Sequence, residues 1–483
     1  MSDMGLSISA SGLAASSAEL NTASNNLANV STPGYATEEV NLSPEAAAGP
    51  LSTGQGVLVG SVSRLSDAVY AAVSVAAAGV QGAASQTNQV MSSIQTTFPE
   101  PSTNGIASQL STFWSSVATL ASNPNQVGAQ QAVVGAAQNL ALSLNSSSTQ
   151  LSRLSNSLQA AVGSGAGDGG TLAQVNSLLQ QVATLNASIV AGAVSGQNSN
   201  ALVDQSTAAV NNLAGLLGLT STNGPHGTVA LYMNGVQLVG GNVAQTLSTT
   251  GSAATANLAI TTANGVTVNA GGSIGATLTA VNTTIPDYQS KLNAVADALA
   301  TGVNAAQANG LSASGIAGSA IAGASTALPN IFVNNGSSST YTTSPPAVNS
   351  ASTIEVAPAL VADPSLVATA AAPGPGNSNV IGTATLDGSN AQAMAALASS
   401  TTGPDTTYQS MIGALGTQAA SALTTSNSAQ GLLTTASNNL STITGVDQNT
   451  QEVNILAAQN AFEANSKVMN AINSCFQALI AAV

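Results

Sequence analysis

Charge is the scarcest property of this 483-residue chain. Charged residues make up 5% of it, against about 25% in an ordinary soluble protein. Nucleic acids and anionic membrane surfaces attract proteins through clustered cations. Neither partner is expected here, because the formal net charge is −14 and the cations are only four and widely spaced: Arg64, Arg153, Lys291 and Lys467.

Cysteine, histidine and aromatic residues are almost as rare. The single Cys475 excludes an intramolecular disulfide framework, and the single His226 excludes any multi-histidine metal site. We therefore expect no metal, no cofactor and no enzymatic activity. His226, between Pro225 and Gly227, is predicted to lie in a loop, and Cys475 to pack as a small apolar residue. The core has to be built from Leu, Val, Ile and Ala, since aromatics make up 2%.

A basic start and long apolar runs are also missing. Asp3 precedes any apolar block and the first cation is Arg64, whereas a secretory signal has a positive start and an apolar block. No run of about 20 apolar residues suggests a membrane helix. These features are consistent with a cytoplasmic protein and also with a protein that is exported without a cleaved signal.

What the chain does contain is a heptad pattern at each end. In 6–30 and in 447–483, large apolar residues recur every seven positions, as coiled-coil seams do. In the first segment, small residues three positions further on would allow close approach of a second helix. An internal bundle would show the same pattern, so an assembly seam is one of two readings. The eight candidate interface residues are Leu6, Leu13, Leu20, Leu27, Ile455, Phe462, Met469 and Phe476.

The middle of the chain alternates between helical and extended patterns. Heptads in 133–158 and spacings in 175–189 predict two antiparallel helices joined by a Gly-rich turn, and 202–219 predicts a third helix. Asn234-Gly235 and Asn264-Gly265, each between alternating apolar residues, predict β-hairpins. Helical spacing returns in 274–308 and 389–443, while 311–387 is rich in Gly, Pro, Ser and Thr.

The predicted fold class is therefore mainly α with inserted β modules, terminal coiled-coil helices and a long helical bundle. We expect four parts: terminal segments 1–66 and 440–483; a helical bundle of 67–224, 273–310 and 388–439; a β-hairpin unit, 225–272; and an inserted, loop-rich β module, 311–387.

Both ends resemble the flagellar rod, hook and hook-associated axial proteins. At the N-terminus the resemblance is carried by 20–29 and 32–35, and at the C-terminus by 445–447, 452–468 and 476–480. Segments 113–145 and 185–205 are similar to the hook–filament junction members in particular. The family motif residues are Asn25, Asn26, Asn29, Pro33, Gly34, Tyr35, Asn454 and Gln459.

The resemblance implies a structural protein of the bacterial flagellum, located outside the cell and exported by the flagellar type III route. Its terminal segments would be mobile in the monomer and form a coiled coil on assembly. The implied partners are further copies of the chain, hook protein, the next hook–filament junction protein and an export chaperone at the C-terminal helix.

Two alternatives follow from the same residues. Another axial protein, such as hook protein, should lack the paired helices of 104–220. An adhesin or hydrolase would have to lie in 311–387.

The local acidic group of Glu38, Glu39 and Glu45 is interpreted as a solvated loop, and Asp204 as a cap or hydrogen-bonding residue between helices.

Overall fold

The computed structural model describes residues 2–32, 34–46, 54–165, 169–323, 327–334, 340–341, 350–375 and 377–481. Within them most residues are helical. The helices are α1 (Ser2–Ala28), α2 (Ala68–Thr97), α3 (Ile106–Ser122), α4 (Val127–Val162), α5 (Thr171–Val194), α6 (Asn200–Leu217), α7 (Gly272–Thr279), α8 (Ile285–Ala308), α9 (Ser350–Thr353), α10 (Pro358–Ala362), α11 (Ser389–Ala395), α12 (Pro404–Thr444) and α13 (Gln448–Ala481).

Short antiparallel strands are inserted between the helices. They are β1 (Glu38–Pro44), β2 (Val57–Arg64), β3 (Thr220–Asn223), β4 (Val229–Met233), β5 (Val236–Gly240), β6 (Val243–Ala244), β7 (Leu247–Thr250), β8 (Ala259–Thr262), β9 (Thr267–Val268), β10 (Gly310–Ser312), β11 (Phe332–Asn334), β12 (Ile354–Val356) and β13 (Ala368–Ala371). The sheets have the orders β1-β2, β3-β4-β5-β6, β7-β8-β9, β10-β13 and β11-β12. The mainly α fold with inserted β sheets is thus confirmed, as are the hairpins at Asn234-Gly235 and Asn264-Gly265.

Two large apolar cores organise the body of the protein, which comprises the residues between the terminal segments. The first core joins α2, α3, α4, α8, α11 and α12 with β11 and β12. The second joins α5, α6 and α7 with the strands of 229–268. The described residues of 331–333 and 351–367 therefore contribute to a core shared with the long helices, and the small β unit shares one with α5 and α6.

The helices α4 and α5 follow each other in the chain, but most of α4 lies in the first core, whereas its last residue Val162 and α5 lie in the second. Leu140 and Leu151 of α4 lie in the first core, and Leu179 and Val182 of α5 lie in the second. α5 packs on α6 and the small sheet, while α4 packs mainly on α3. The two helices and their order were predicted correctly. They do not pack on each other along their length, because heptads show that a helix has an apolar seam but not which partner covers it.

Two helices, α2 and α5, are long and apolar enough to cross a membrane by length and composition alone. In the structure both take part in packing. Ile94 of α2 and Leu172, Leu179 and Val182 of α5 are fully buried. Each helix also exposes large apolar side chains, such as Val69 of α2 and Val194 of α5, so burial in the cores accounts for only part of their apolar composition.

Side-chain amides join the helices to the extended segments. Five asparagines in the described residues each accept from the backbone N–H and donate to the backbone C=O of one residue, at 2.7–2.9 Å. Each amide therefore replaces a neighbouring β-strand and satisfies both backbone groups. The pairs are Asn26–Glu38, Asn176–Leu247, Asn186–Val229, Asn282–Leu258 and Asn304–Phe332.

Candidate assembly interface

The first and last long helices, α1 and α13, pack against each other in antiparallel orientation. Asn26 Nδ2 donates to Gln451 Oε1 at 3.0 Å near the inner end of the pair. Further along, a Cβ added to Gly12 would lie 2.7 Å from Asn465, and one added to Gly5 would lie 3.1 Å from Ile472. On each helix these three positions are separated by seven or by a multiple of seven residues, so the pair has a regular heptad register.

The seam between α1 and α13 is made of small and polar side chains. Ser9, Ser16 and Ala23 of α1 and Ala458 of α13 are each more than nine-tenths buried. Gly5 and Gly12 occupy the alternate positions of the same seam. Small residues let the two helices approach closely, but they bury little apolar area.

The large apolar residues flank this seam rather than fill it. Leu6, Leu13, Leu20 and Leu27 are half-buried on α1, and so are Ile455, Met469 and Phe476 on α13, while Phe462 is 42% exposed. In the register above, Leu13 lies between Phe462 and Met469 along the pair, and the other leucines repeat this arrangement. The leucines each follow a seam position of α1 by one residue, and the four residues of α13 each follow a seam position by four. In an antiparallel pair with 3.6 residues per turn, both offsets fall on the same side, so we assign all eight candidate interface residues to one side of the α1–α13 pair, which we call the apolar flank.

The opposite side of α1 carries the β1–β2 hairpin. Val57 N–H donates to Ser11 Oγ at 3.2 Å, and Gly56 comes so close that a Cβ there would overlap the Ser11 side chain. Gly56 also has a φ of +119°, which glycine adopts without strain. The hairpin therefore covers one side of the helix pair and leaves the apolar flank uncovered by the described residues of this chain.

Asn26 is the centre of a hydrogen-bonded cluster that joins α1, the hairpin and α13. Its Oδ1 accepts from Tyr35 OH at 2.8 Å and from Glu38 N–H at 2.9 Å, and its Nδ2 donates to Glu38 O and Gln451 Oε1. Asn25 Nδ2 donates to Tyr35 OH at 3.2 Å, and Asn29 Nδ2 donates to Asn25 O at 3.0 Å. The Asn-Asn-x-x-Asn motif thus fixes the start of the hairpin on the helix.

Tyr35 is held in this cluster as a neutral phenol. Its partial burial raises its pKa to about 12, and the charges of Glu38 and Asp204 add to the shift. The neighbouring Thr37 extends the cluster to the end of α12, since its N–H donates to Thr444 O and its Oγ1 donates to Gly445 O, both at 2.8 Å.

An ion pair ties the hairpin to the body. Arg64 at the end of β2 is bonded to Asp204 on α6, and both side chains are largely buried. Burial raises the pKa of Asp204, and the Arg64 guanidinium opposes that shift. Gly34 packs beside Asp204 and Ala208 with a φ of +83°. Asp204 therefore bonds between elements, as predicted, although its partner is on a strand.

The remaining motif residues are less closely involved. Asn454 lines an open cavity of about 420 Å³ between α1, β1 and α13, and Gln459 is exposed. Pro33 lies outside the described residues. Gln451, Thr37 and Arg64 were not identified from the sequence as parts of the site. Of the three, only Arg64 was recognisable in principle, because it is an isolated cation and buried charges in proteins are normally paired.

His226 and Cys475 are the only histidine and cysteine of the chain, and neither lies in a potential catalytic or metal site of the described residues. His226 lies in a turn before β4 with a φ of +59°, in agreement with the predicted loop. Cys475 is exposed on α13, so the prediction that it packs as an apolar residue was wrong for the single chain. Among the described residues no group of three His, Cys, Asp or Glu could hold a metal ion.

Comparison with known protein families finds two matches along the chain. Residues 91–321 match the helical domain of the flagellar hook-associated protein FlgK, and residues 6–35 match the flagella basal body rod protein family. The first match spans α3 to α8 and both small sheets of 220–268. The second coincides with α1 and the Asn25–Tyr35 motif.

Individual relatives agree with these families. The chain is 30% identical over 255 residues to flagellar hook-associated protein 1 of Escherichia coli, a region that covers 50% of this chain and 44% of that protein. It is 28% identical over 239 residues to the protein of the same name from Bacillus subtilis, covering 47% of this chain and 46% of the relative. The matched region thus spans under half the length of these relatives.

A solved structure shares the fold. The flagellar hook junction protein FlgK from Burkholderia pseudomallei superposes with a TM-score of 0.57 at 18% identity, over 77% of this chain and 99% of that one.

Proposed function

We propose that this chain, which belongs to the flagellar hook-associated protein family, is a structural subunit of the bacterial flagellum that self-assembles at the distal end of the hook and connects hook to filament. One observation carries the proposal. The terminal helices pair through small side chains and leave the apolar flank uncovered, beside the Asn25–Tyr35 motif of the rod-protein family.

The apolar flank is the proposed contact between neighbouring subunits. Packing half-buried leucine and phenylalanine side chains against a second helix pair removes further apolar area from water, at roughly 25 cal/mol per Å². The helix pair alone buries little such area, so association supplies stability that the single chain lacks. The eight flank residues are proposed to act in this way, while the motif residues hold the helices and the hairpin in position.

The finer assignments belong to the same proposal. The subunit acts outside the cell, reaches that site by the flagellar type III export route, and contacts further copies of itself, hook protein and the next junction protein. The C-terminal helix α13 is the proposed contact for an export chaperone. Its apolar residues on both sides, such as Val453 and Leu456, are exposed in the single chain.

The helical body favours a junction protein over hook protein. Residues 106–217 contain the four helices α3 to α6, which the sequence analysis expected of the junction protein and not of hook protein. A structural role without catalysis agrees with the family.

Deleting the gene and examining the cells by electron microscopy tests this function. We expect hooks without filaments, together with flagellin in the spent medium. Cells without hooks would assign the chain to an earlier part of the axis, and normal filaments in a strain with no second copy of the gene would refute the junction role.

A further inference from the structure

The methionine side chains of this protein differ in their access to water between the body and the α1–α13 pair. Those of the body lie in the two apolar cores and are each at most 4% exposed: Met91, Met233, Met394 and Met411. Met4 of α1 and Met469 of α13 are only half-buried. Among the described residues, the methionines that a small oxidant in water can reach are therefore both on the α1–α13 pair.

These two methionines lie on opposite sides of the helix pair. Met469 is one of the eight residues of the apolar flank. Met4 lies seven residues before Ser11 and therefore on the same face of α1, and the Ser11 Oγ accepts from the β1–β2 hairpin. The same side-chain chemistry is thus present once on the uncovered flank and once on the side of the hairpin.

Oxidation converts a methionine into its sulfoxide, which has a polar oxygen on the sulfur. With hydrogen peroxide as the oxidant, a lone pair of Sδ attacks one peroxide oxygen, an S–O bond forms, the O–O bond breaks, and water leaves. The sulfur gives up two electrons and the peroxide is reduced by them. A flexible apolar side chain thereby becomes a polar one that requires a hydrogen-bond donor when it is buried.

On the apolar flank the sulfoxide affects association and not folding. The flank residues next to Met469 are Phe462 and Phe476 on α13 and Leu6 and Leu13 on α1, whose side chains have no polar atoms. In the single chain the half-buried sulfoxide keeps its contact with water. That contact is lost only when a neighbouring subunit covers the flank, and burial of the polar oxygen is then unfavourable.

We propose that Met469 is an oxidation site that controls assembly: its conversion to the sulfoxide by a peroxide, before the subunit joins the flagellum, prevents incorporation. The inference rests on the proposed function, because it takes the apolar flank as the contact between subunits. In the assembled flagellum the neighbouring subunit covers the same sulfur and protects it from the oxidant. Methionine sulfoxide reductases, one for each epimer of the sulfoxide, reverse the modification.

Two full-length variants separate the effects of the two methionines. Both carry Cys475→Ser, because the exposed thiol of Cys475 also reacts with peroxide. One adds Met4→Leu and the other Met469→Leu, a replacement of similar volume. Each purified chain is treated with hydrogen peroxide, and mass spectrometry identifies the oxidised residues. Met1 is common to both variants, so its oxidation cancels in the comparison. Binding is measured by co-sedimentation with hooks isolated from cells that lack the gene.

The sulfoxide of Met469 should weaken binding to hooks, and the sulfoxide of Met4 should not. For the oxidised Met4→Leu chain we expect at least about tenfold weaker binding than before treatment, a ratio that corresponds to 1.4 kcal/mol. The oxidised Met469→Leu chain should bind as it did before treatment. Both should unfold at unchanged temperatures, and sulfoxide reductases should restore binding of the first. In isolated flagella Met469 should be oxidised more slowly than in the purified chain.

The outcomes distinguish this inference from the proposed function. If the untreated chains bind hooks and the sulfoxide of Met469 leaves binding unchanged, the inference is wrong and the junction role stands. The same conclusion holds if the sulfoxide of Met4 weakens binding equally, or if peroxide leaves Met469 of the purified chain unmodified. If the untreated chains do not bind hooks, the junction role is wrong, and the inference that rests on it is wrong as well.

Discussion

The body and the terminal unit, which comprises α1, α13 and the β1–β2 hairpin, bury opposite classes of side chain. In the body, Leu140, Leu144 and Phe113 are fully buried. In the terminal unit the buried residues are small or polar, while the large apolar residues are half-buried or exposed. The buried residues of α1 and α13 include Ser9, Ala15, Ser16, Ala23, Asn26, Gln451 and Ala458. The body therefore has packed apolar cores of its own, whereas the terminal unit leaves its large apolar side chains at the surface, where we propose that neighbouring subunits pack.

A charge introduced on the apolar flank should have the largest effect of these changes, on assembly and not on the stability of the single chain. The substitution Phe462→Asp should abolish incorporation into flagella, because burying an unpaired carboxylate between subunits costs several kcal/mol. The purified chain should unfold at an unchanged temperature, since Phe462 is 42% exposed in it. The measurement is filament formation in cells that carry only this variant. The control, Asn460→Asp, places the same charge at an exposed position of α13 outside the flank and should assemble. Normal filaments with Phe462→Asp would show that the flank is not an interface.

Truncating leucines measures the same contrast in the single chain. Leu144→Ala should lower the free energy of unfolding by about 2–5 kcal/mol, because it leaves a cavity in a packed core. Leu13→Ala, on the half-buried flank, should lower it by about 1 kcal/mol. Chemical denaturation of both variants measures the two free energies of unfolding. Equal decreases would show that the terminal unit is as well packed as the body.

Within the body, the close crossing of α2 and α6 can be tested at Gly82 and Gly215, whose backbones are in direct contact. Gly82→Ala should destabilise the body by about 1–3 kcal/mol, because the added methyl overlaps Gly215 O and has to push two helices apart. Gly215→Ala should be tolerated, since the atom nearest to the added methyl would be Ala78 O at 3.8 Å. Thermal unfolding of the pair separates overlap from a general effect of replacing helical glycine; equal shifts would contradict the close crossing.

Removing the central amide of the terminal cluster should loosen the terminal unit alone. Asn26→Ala leaves the backbone groups of Glu38 and the hydroxyl of Tyr35 without their partner, at a cost of about 1–3 kcal/mol. Limited proteolysis should then cut α1 and the hairpin faster while the body stays resistant. The exposed Asn21→Ala serves as control, and faster cleavage throughout the body would refute the independence of the two regions.

The smallest expected effect is a pH dependence at the start of α13. Asp447 accepts from Thr450 N–H at 2.7 Å, and this bond holds its pKa below 3.8. A carboxyl group with a lowered pKa in the folded state stabilises above its unfolded pKa, near 3.8, and this contribution is lost as the pH falls through the folded value. Asp447→Asn should therefore show a smaller loss of α13 helicity between pH 5 and pH 2, roughly the window of the titration. Circular dichroism checks this, and identical curves for both proteins would argue against the cap.

Much of the fold was predictable because local patterns determine it. The turns at Asn234-Gly235 and Asn264-Gly265 and the ends of α6 and α13 follow from residues next to one another. The partner of each helix was not predictable, as α4 and α5 show, because an apolar seam does not state which surface covers it. At the candidate site the eight flank residues followed from heptad spacing, but Asn26–Gln451 joins residues 425 positions apart, and no local pattern contains that pair.

The asparagines that hold extended segments have a consequence for the medium in which the protein works. An amide carries no charge, so its hydrogen bonds are neither screened by salt nor broken by a change of ionisation. The described residues contain few ion pairs, of which Lys291–Asp287 and Lys467–Glu463 are exposed and contribute little. Because the five asparagine pairs join helices to strands and loops in both regions, the architecture should be indifferent to ionic strength, from fresh water to brine.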